Sequence, residues 1–419
     1  MAGDINSNYP WLRLAIALLM SAIGGVGMWS VVVALPSVQA EFGVARGDAS
    51  LPYTFTMIGF GVASIIMGRL ADRVGIFIPL LIGSVALSIG YVAASHAPTI
   101  GQFTLMQGLL IGVGSCVTFA PLLADTSLWF TKKRGMAVGI FASGNYLAGT
   151  VWPPVLVHFT QTVGWRETYF GVAIFCAASM LPLAFALRRR PPPAGDVGLT
   201  QVGDDQSRPL GLSTMTLQIL LIVAGLSCCV AMSMPQVHIV AYCGDLGFGP
   251  ARGAQMLSLM LACGIVSRLS FGWISDRIGG LRTLLLGSSL QAFALLLFVP
   301  FDGLISLYLL SALFGLFQGG IVPSYAIIVR ELFSAKEAGA RVSAVITATM
   351  FGMALGGWMS GVIFDWLGSY RAAFVNGVTW NLLNIAIALW LLRRYRAAIA
   401  ARLNRTFDVS LPPPRRGWP

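Results

Sequence analysis

One cation stands alone in apolar sequence. Arg268 lies inside LMLACGIVSRLSFGW and is the only Lys or Arg deep within a predicted membrane span of the 419-residue chain. An unpaired charge at the centre of a bilayer costs at least ~2.5–3.5 kcal/mol on insertion scales, so such a residue persists where it faces a watery cavity and meets an anion. A guanidinium also offers a planar fork of donors matched to a carboxylate. The alternative is snorkelling. Arg268 precedes Gly272 by four residues, ~6 Å of helix rise, which brings its head within reach of the nearer membrane surface.

Other side chains could share that work. His238, in PQVHIVAY, is the candidate proton-coupling residue, because imidazole titrates near physiological pH. Straight-helix counting puts it near the outer surface, away from Arg268, unless Pro235 bends the helix inward. A plain surface histidine is the equal alternative. Asn145 and Tyr146 lie mid-helix in FASGNYLAGTVWPP, where an amide either bonds a substrate oxygen or holds helices together. Tyr325 and Gln318 are the polar candidates of the second half, with the same alternative of packing. Phe119 and Met28 are candidate apolar walls for a short-chain acid, although lone aromatic or Met residues in spans more often pack. His96 and His158 fall at outer helix ends.

No nucleophile–base set, paired acids or metal-ligand cluster is visible, and no Walker-type GxxxxGK[ST] occurs. The expectation is a protein that is not an enzyme and needs no cofactor or metal. Six cysteines, Cys116, Cys176, Cys228, Cys229, Cys243 and Cys263, lie in or beside spans without ligand spacing and read as buried free thiols.

These residues need a bilayer around them. The chain is 56% hydrophobic and only 10% charged, with a mean hydropathy of +0.78, whereas soluble domains carry about 25% charged residues. Apolar stretches long enough to cross a hydrocarbon core recur near 11–35, 51–70, 76–95, 100–125, 135–159, 168–188, 214–242, 253–272, 281–300, 304–329, 341–365 and 371–392. The first is too long for a signal peptide and lacks a clean cleavage site. The net charge of +11 is arranged by topology. With both termini cytoplasmic, 22 Lys and Arg fall on the inner side and four (Arg46, Arg166, Arg252, Arg371) on the outer. That bias is the positive-inside pattern, and it argues against nucleic acid as a partner.

The chain also repeats itself. GRLADRVG, Gly68 to Gly75, returns 204 residues later as GWISDRIG, Gly272 to Gly279. GWRETYF from Gly164 returns as SYRAAF from Ser369, and WFTKKRGMAVG from Trp129 aligns with LFSAKEAGARVS from Leu332. The expected organisation is an N-terminal six-helix bundle (1–188), a Pro- and charge-rich cytoplasmic linker (189–213), a C-terminal six-helix bundle (214–392) and a cytoplasmic tail (393–419). In each repeated turn an Asp (Asp72, Asp276) can accept from N–H groups at the start of a neighbouring helix. The following arginine (Arg73, Arg277) can pair with Asp125 or Glu331. Together with Gly68 and Gly272 these residues are a candidate conformational latch. The glycines of GLLIGVGS and FGMALGGWMSG are spaced for close helix approach, not for phosphate.

On these motifs the chain resembles the major facilitator superfamily, an all-α membrane fold of twelve transmembrane helices in two pseudo-symmetric halves. GRLADRVG is similar to that superfamily's signature between helices 2 and 3. LPSVQAEFGVARGDASLPYTF and the isolated arginine of helix 8 resemble the monocarboxylate-porter and oxalate:formate-antiporter branch. The resemblance implies a monomeric secondary transporter of small organic anions, working by alternating access. Expected partners are a small carboxylate, a proton or counter-anion, and the lipid of a bacterial inner membrane. It also implies a polar or titratable residue on helix 7 opposite the helix 8 arginine. Proton symport is the first expectation and anion exchange the second, with export of hydrophobic drugs behind both. In that last case a mid-span acid is expected and an unpaired arginine is not.

Overall fold

The computed structural model describes residues 9–130, 134–190 and 209–410. All regular structure among them is helical. Its long helices are α1 (Tyr9–Phe42), α2 (Arg46–Val74), α3 (Phe77–Ser95), α4 (Ile100–Leu128), α5 (Arg134–Ala142 and Gly144–Val163) and α6 (Trp165–Ala186). The second six are α7 (Thr214–Asp245), α8 (Pro250–Ile278), α9 (Gly280–Leu297), α10 (Leu304–Leu332), α11 (Ala335–Leu367) and α12 (Arg371–Ser410).

Eleven of these, among the described residues, are long and apolar enough to cross a membrane. The twelfth, α5, is divided at Ser143, and its longer piece carries Asn145, Thr150, His158, Thr160 and Gln161. The twelve-helix architecture is therefore present, with its least apolar member placed where polar groups are expected. Most of the predicted linker, 191–208, lies outside the described residues, as do Lys132 and Lys133. One boundary moves: α12 continues to Ser410, past residue 393 where a tail was expected.

The duplication is visible in how helices cross. In the first half α2 meets α4 so closely that a Cβ on Gly59 would lie 2.0 Å from the Gly108 carbonyl oxygen. In the second half α8 meets α10 alike, and a Cβ on Gly315 would lie 2.0 Å from the Met260 carbonyl oxygen. Only glycine permits backbones to approach this far. The halves also break alike. α4 is interrupted at Thr118–Phe119 after a π-helical turn at Gln107–Gly112, and α10 is interrupted at Gly319–Gly320.

Twelve alternating helices put the start of α1, at Tyr9, and the end of α12 on one face of the bundle, called here the terminal face; the other is the far face. The halves meet along two seams, α2 against α11 and α5 against α8, and α1 and α7 also touch. α1 is the most enclosed helix, with 78% of its most apolar window buried. The seams differ in one respect: α5 is broken at Ser143, whereas α11 is continuous from Ala335 to Leu367.

Candidate functional site

The break in α5 produces the site. The helix stops at Ala142 and restarts at Gly144, and the Ala142 carbonyl accepts from Arg268 Nη1 of α8 at 2.8 Å. The Arg268 guanidinium carbon sits 4.5 Å from the centroid of the Tyr146 ring, one turn further along α5. That ring also packs on Gly264, where an added Cβ would meet it at 2.4 Å. Arg268 Nε lies 3.4 Å from the Gly319 carbonyl at the break in α10. Ser267 Oγ steadies the same break by accepting from the Gly319 N–H at 3.1 Å.

Arg268 is thus half-buried between the halves, pointed by two helix breaks and one aromatic face. Among the described residues no carboxylate lies within ion-pair distance of it. The head is engaged across the seam, so the snorkelling alternative does not describe its position. A cation–π contact and two neutral carbonyls offset only part of the cost of holding a cation in apolar surroundings.

The other predicted residues divide. Tyr146 joins Arg268 directly. Asn145 precedes it, half-buried, without a side-chain partner among the described residues, and its Oδ1 lies near Gly25 of α1. Phe119, at the α4 break, stacks on Phe141 with ring centroids 6.4 Å apart and lies 6.5 Å from Phe60. These rings form an aromatic patch one residue before Ala142. Met28 is packed in the core of α1. Tyr325 and Gln318 are not brought to Arg268. The Tyr325 hydroxyl donates to Asn384 of α12 at 2.8 Å, and Gln318 accepts from Gln236 of α7 at 2.8 Å. Both are fully buried among helices of the second half, where a polar group must find such partners.

A second polar cluster stands at the far face, and the sequence reading missed it. Arg46, at the start of α2, donates from Nη1 and Nη2 to the two carboxylate oxygens of Asp245 at 3.0 and 3.1 Å. It donates again to the Tyr370 hydroxyl at 2.7 Å. Its backbone N–H and that of Gly47 donate to Asp365 at 2.8 and 2.7 Å, so a carboxylate from α11 caps the N-terminus of α2. Tyr370 is also 3.0 Å from His238 Nδ1, while His238 Nε2 lies 2.7 Å from the Gly357 carbonyl of α11. His238 is fully buried there. The surface alternative for it is corrected: neighbouring helices enclose it at the depth that straight counting gives, and it does not meet Arg268.

The repeated turns sit at the terminal face, and their contacts differ from those expected. Gly75 and Gly279 end α2 and α8 with φ of 87° and 82°, which explains the second glycine of each motif. Asp72, Arg73, Asp276 and Arg277 are exposed. Asp125 is taken by Arg13 of α1 at 2.7 Å, both side chains being buried, and not by Arg73. Glu331 accepts from the Gly280 N–H at 3.1 Å, capping α9 in the way expected of Asp276. Arg277 lies over the ring of Trp273 on its own helix, 3.8 Å from the centroid. A Cβ on Gly68 or Gly272 would meet nothing within 4 Å, so packing does not demand glycine there. Among the described residues the turns, in this conformation, tie no helix of one half to the other.

A seam cation between two duplicated six-helix bundles defines a class, the transporters of two pseudo-symmetric halves. The sequence profile of the Major Facilitator Superfamily matches residues 17–310 and 269–413, and the chain belongs to that family. It is an integral membrane transporter. Monocarboxylate transporter 13 of Bos taurus is 27% identical over 335 residues, covering 78% of this chain and 75% of that protein. Monocarboxylate transporter 11 of Mus musculus is 26% identical over 389 residues, covering 89% and 85%. Among solved structures, a bacterial homologue of the human lysosomal transporter Spinster, inward-facing and occupied, has a TM-score of 0.68 at 14% identity, covering 95% of this chain and 98% of that one. The nucleoside transporter NupG, in a mutant form, has a TM-score of 0.70 at 13% identity, covering 92% of this chain and all of that one. These structures share the fold.

Proposed function

We propose that this transporter moves small monocarboxylates across the membrane by alternating access, with the carboxylate held by Arg268. The observation that carries this reading is a half-buried guanidinium at the seam with two backbone carbonyls and a ring for neighbours and no acid among the described residues. A substrate carboxylate accepts from the donors that Ala142 leaves free, and the pair forms where little water screens it. Asn145 and Tyr146 flank the anion, and the patch of Phe119, Phe141 and Phe60 takes a short apolar tail. Tyr325, Gln318 and Met28 support the helices around this site.

Substrate binding neutralises the seam and removes the main cost of bringing the terminal ends of the halves together. Rocking about the midplane then passes the anion across. In this scheme the repeated turns engage as the terminal face closes, while the Arg46 cluster parts. The charge distribution supports placing the terminal face in the cytoplasm, with the protein expected as a monomer in a bacterial inner membrane.

Coupling to a proton is the leading mode, with His238 as the titratable group. One observation favours exchange instead: without an acid beside it, Arg268 of the empty carrier keeps an uncompensated charge, and returning unloaded is costly. Uptake of a labelled carboxylate panel into proteoliposomes, with and without a pH gradient, separates the two. Symport predicts accumulation driven by an inward proton gradient. Exchange predicts uptake that ignores the gradient and follows a trapped internal anion. If Arg268→Gln transports every acid as the wild type does, the anion-clamp reading is wrong.

A further inference from the structure

The hydrogens of the far-face cluster run in one direction. A carbonyl can only accept, so His238 Nε2 carries the hydrogen it gives to Gly357, 2.7 Å away. In the neutral ring Nδ1 is then an acceptor, and the Tyr370 hydroxyl, 3.0 Å away, donates to it. With its hydrogen committed, the Tyr370 oxygen accepts from Arg46 Nη1 at 2.7 Å. The chain crosses the molecule: Arg46 belongs to the first half, and Tyr370, His238 and Gly357 belong to the second.

The groups around His238 are few. α7 brings Tyr242 and Asp245, α11 brings Asp365, the start of α12 brings Tyr370, and α2 brings Arg46 and Tyr53. One cation therefore faces two carboxylates, and a proton arriving at this cluster is balanced by existing charge. Beside it, a cleft of about 440 Å³ opens between the far ends of α1 and α7, lined by Pro36, Gln39, Val44, Arg46, Ala241 and Asp245.

We propose that His238 Nδ1 is a proton-binding site that unlocks the far face: protonation reverses the Tyr370–His238 hydrogen bond and releases Arg46 from the second half. A protonated ring donates from both nitrogens, so Nδ1–H must give its hydrogen to the Tyr370 oxygen that already serves Arg46. Two cations then share one hydroxyl oxygen, and the Tyr370 hydrogen loses its acceptor. The low-energy response is for Arg46, Tyr370 and Asp245 to separate, which parts α2 from α7 and α11 and opens the cleft towards the seam. The one covalent change is the new Nδ1–H bond formed with a proton from solvent, and that proton remains on nitrogen. This inference rests on the alternating-access reading, and it places coupling at the gate instead of beside the substrate.

The test is the accessibility of a cysteine introduced as Val44→Cys, followed by alkylation of the protein in proteoliposomes with a membrane-impermeant maleimide. The same protein without that substitution gives the background from the native thiols. Labelling is expected to rise about tenfold as the pH falls from about 7.5 to about 4, a range wide enough to span the titration of a buried histidine. His238→Gln, whose amide keeps one donor and one acceptor, is expected to label slowly at both values. Tyr370→Phe keeps the ring and removes the shared oxygen; it is expected to label fast at both values. Arg268→Gln is expected to lose transport while keeping the pH-dependent labelling, so failure of the substrate reading is distinguishable from failure of the gate. The gate is overturned if His238→Gln keeps the wild-type pH response, if labelling falls on acidification, or if Tyr370→Phe behaves as the wild type.

Discussion

The two seams each carry one arginine between the halves, and the two arginines are treated oppositely. On the α2–α11 side the Arg46 guanidinium meets one carboxylate, that of Asp245, a hydroxyl and the rings of Phe364 and Tyr370, while its backbone N–H donates to Asp365. On the α5–α8 side Arg268 meets two backbone carbonyls and one ring. A cation paired with a carboxylate across the seam is a fastener, because breaking that pair leaves a buried charge alone. A cation with free donors is a receptor, because an incoming anion supplies what the protein withholds. Duplication provided both seams; substitution then separated their tasks. At the position of Arg268 the first half has Ser64, whose hydroxyl donates back to the Phe60 carbonyl at 2.7 Å.

The comparison breaks first at Arg46. Arg46→Met leaves Asp245 and Tyr370 without their cation, and the expected loss is about 2–3 kcal/mol, the value of hydrogen bonds to a charged group and below that of a fully buried pair because Asp245 stands at the surface. Detergent-solubilised protein should melt at a clearly lower temperature while substrate affinity changes little. Unchanged melting would mean that the far-face cluster does not hold the halves.

Arg268→Gln should do the reverse. Removing an uncompensated charge leaves stability level or slightly raised, while carboxylate affinity falls by about 2–3 kcal/mol, the value of hydrogen bonds to a charged group. That corresponds to roughly a hundredfold weaker binding. A melting scan and equilibrium binding on the same preparation check both halves of the expectation.

Tyr146→Leu sharpens the receptor side. Without the ring under the guanidinium, affinity should fall by about 0.5–2 kcal/mol. The fall should be similar for different acids, because the ring orients the clamp and does not read the substrate. A Tyr146→Phe control should keep nearly all of the affinity.

The smallest effect is expected at the repeated turns. Arg277 is exposed over Trp273, so Arg277→Gln should alter stability by no more than about 0.5 kcal/mol. Its consequence belongs to the other conformation: transport should slow while binding is unchanged. A loss of binding affinity here would move the site to the terminal face.

How much of this was legible in the sequence depends on range. The repeat of GRLADRVG as GWISDRIG, the helix count and the glycine-lined crossings all follow from local pattern, and each reappears in space. Arg268 was legible as an anomaly, one charge in an apolar run. Its partner was not, because a backbone carbonyl freed by a break at Ser143 has no residue type to betray it. Arg46 was filed among loop charges, since Asp245 and Asp365 stand 199 and 319 residues away and no spacing connects them. Counting along α7 puts His238 towards the far end of that helix. Its burial comes from Gly357 and Tyr370, which counting along one helix does not reveal. Tyr325 and Gln318 show the converse: a polar residue in a span signals a partner, and here the partners are Asn384 and Gln236 within one half.

The account turns on Arg268 as the carboxylate's counter-ion, and equilibrium binding tests that most directly. A short-chain monocarboxylate and its uncharged amide are titrated against the wild type, Arg268→Lys and Arg268→Gln. The prediction is that the wild type prefers the acid over the amide by about a hundredfold, that Arg268→Lys keeps part of this preference, and that Arg268→Gln binds the two alike. If Arg268→Gln still discriminates acid from amide as the wild type does, the anion is held elsewhere and the seam arginine is not its receptor.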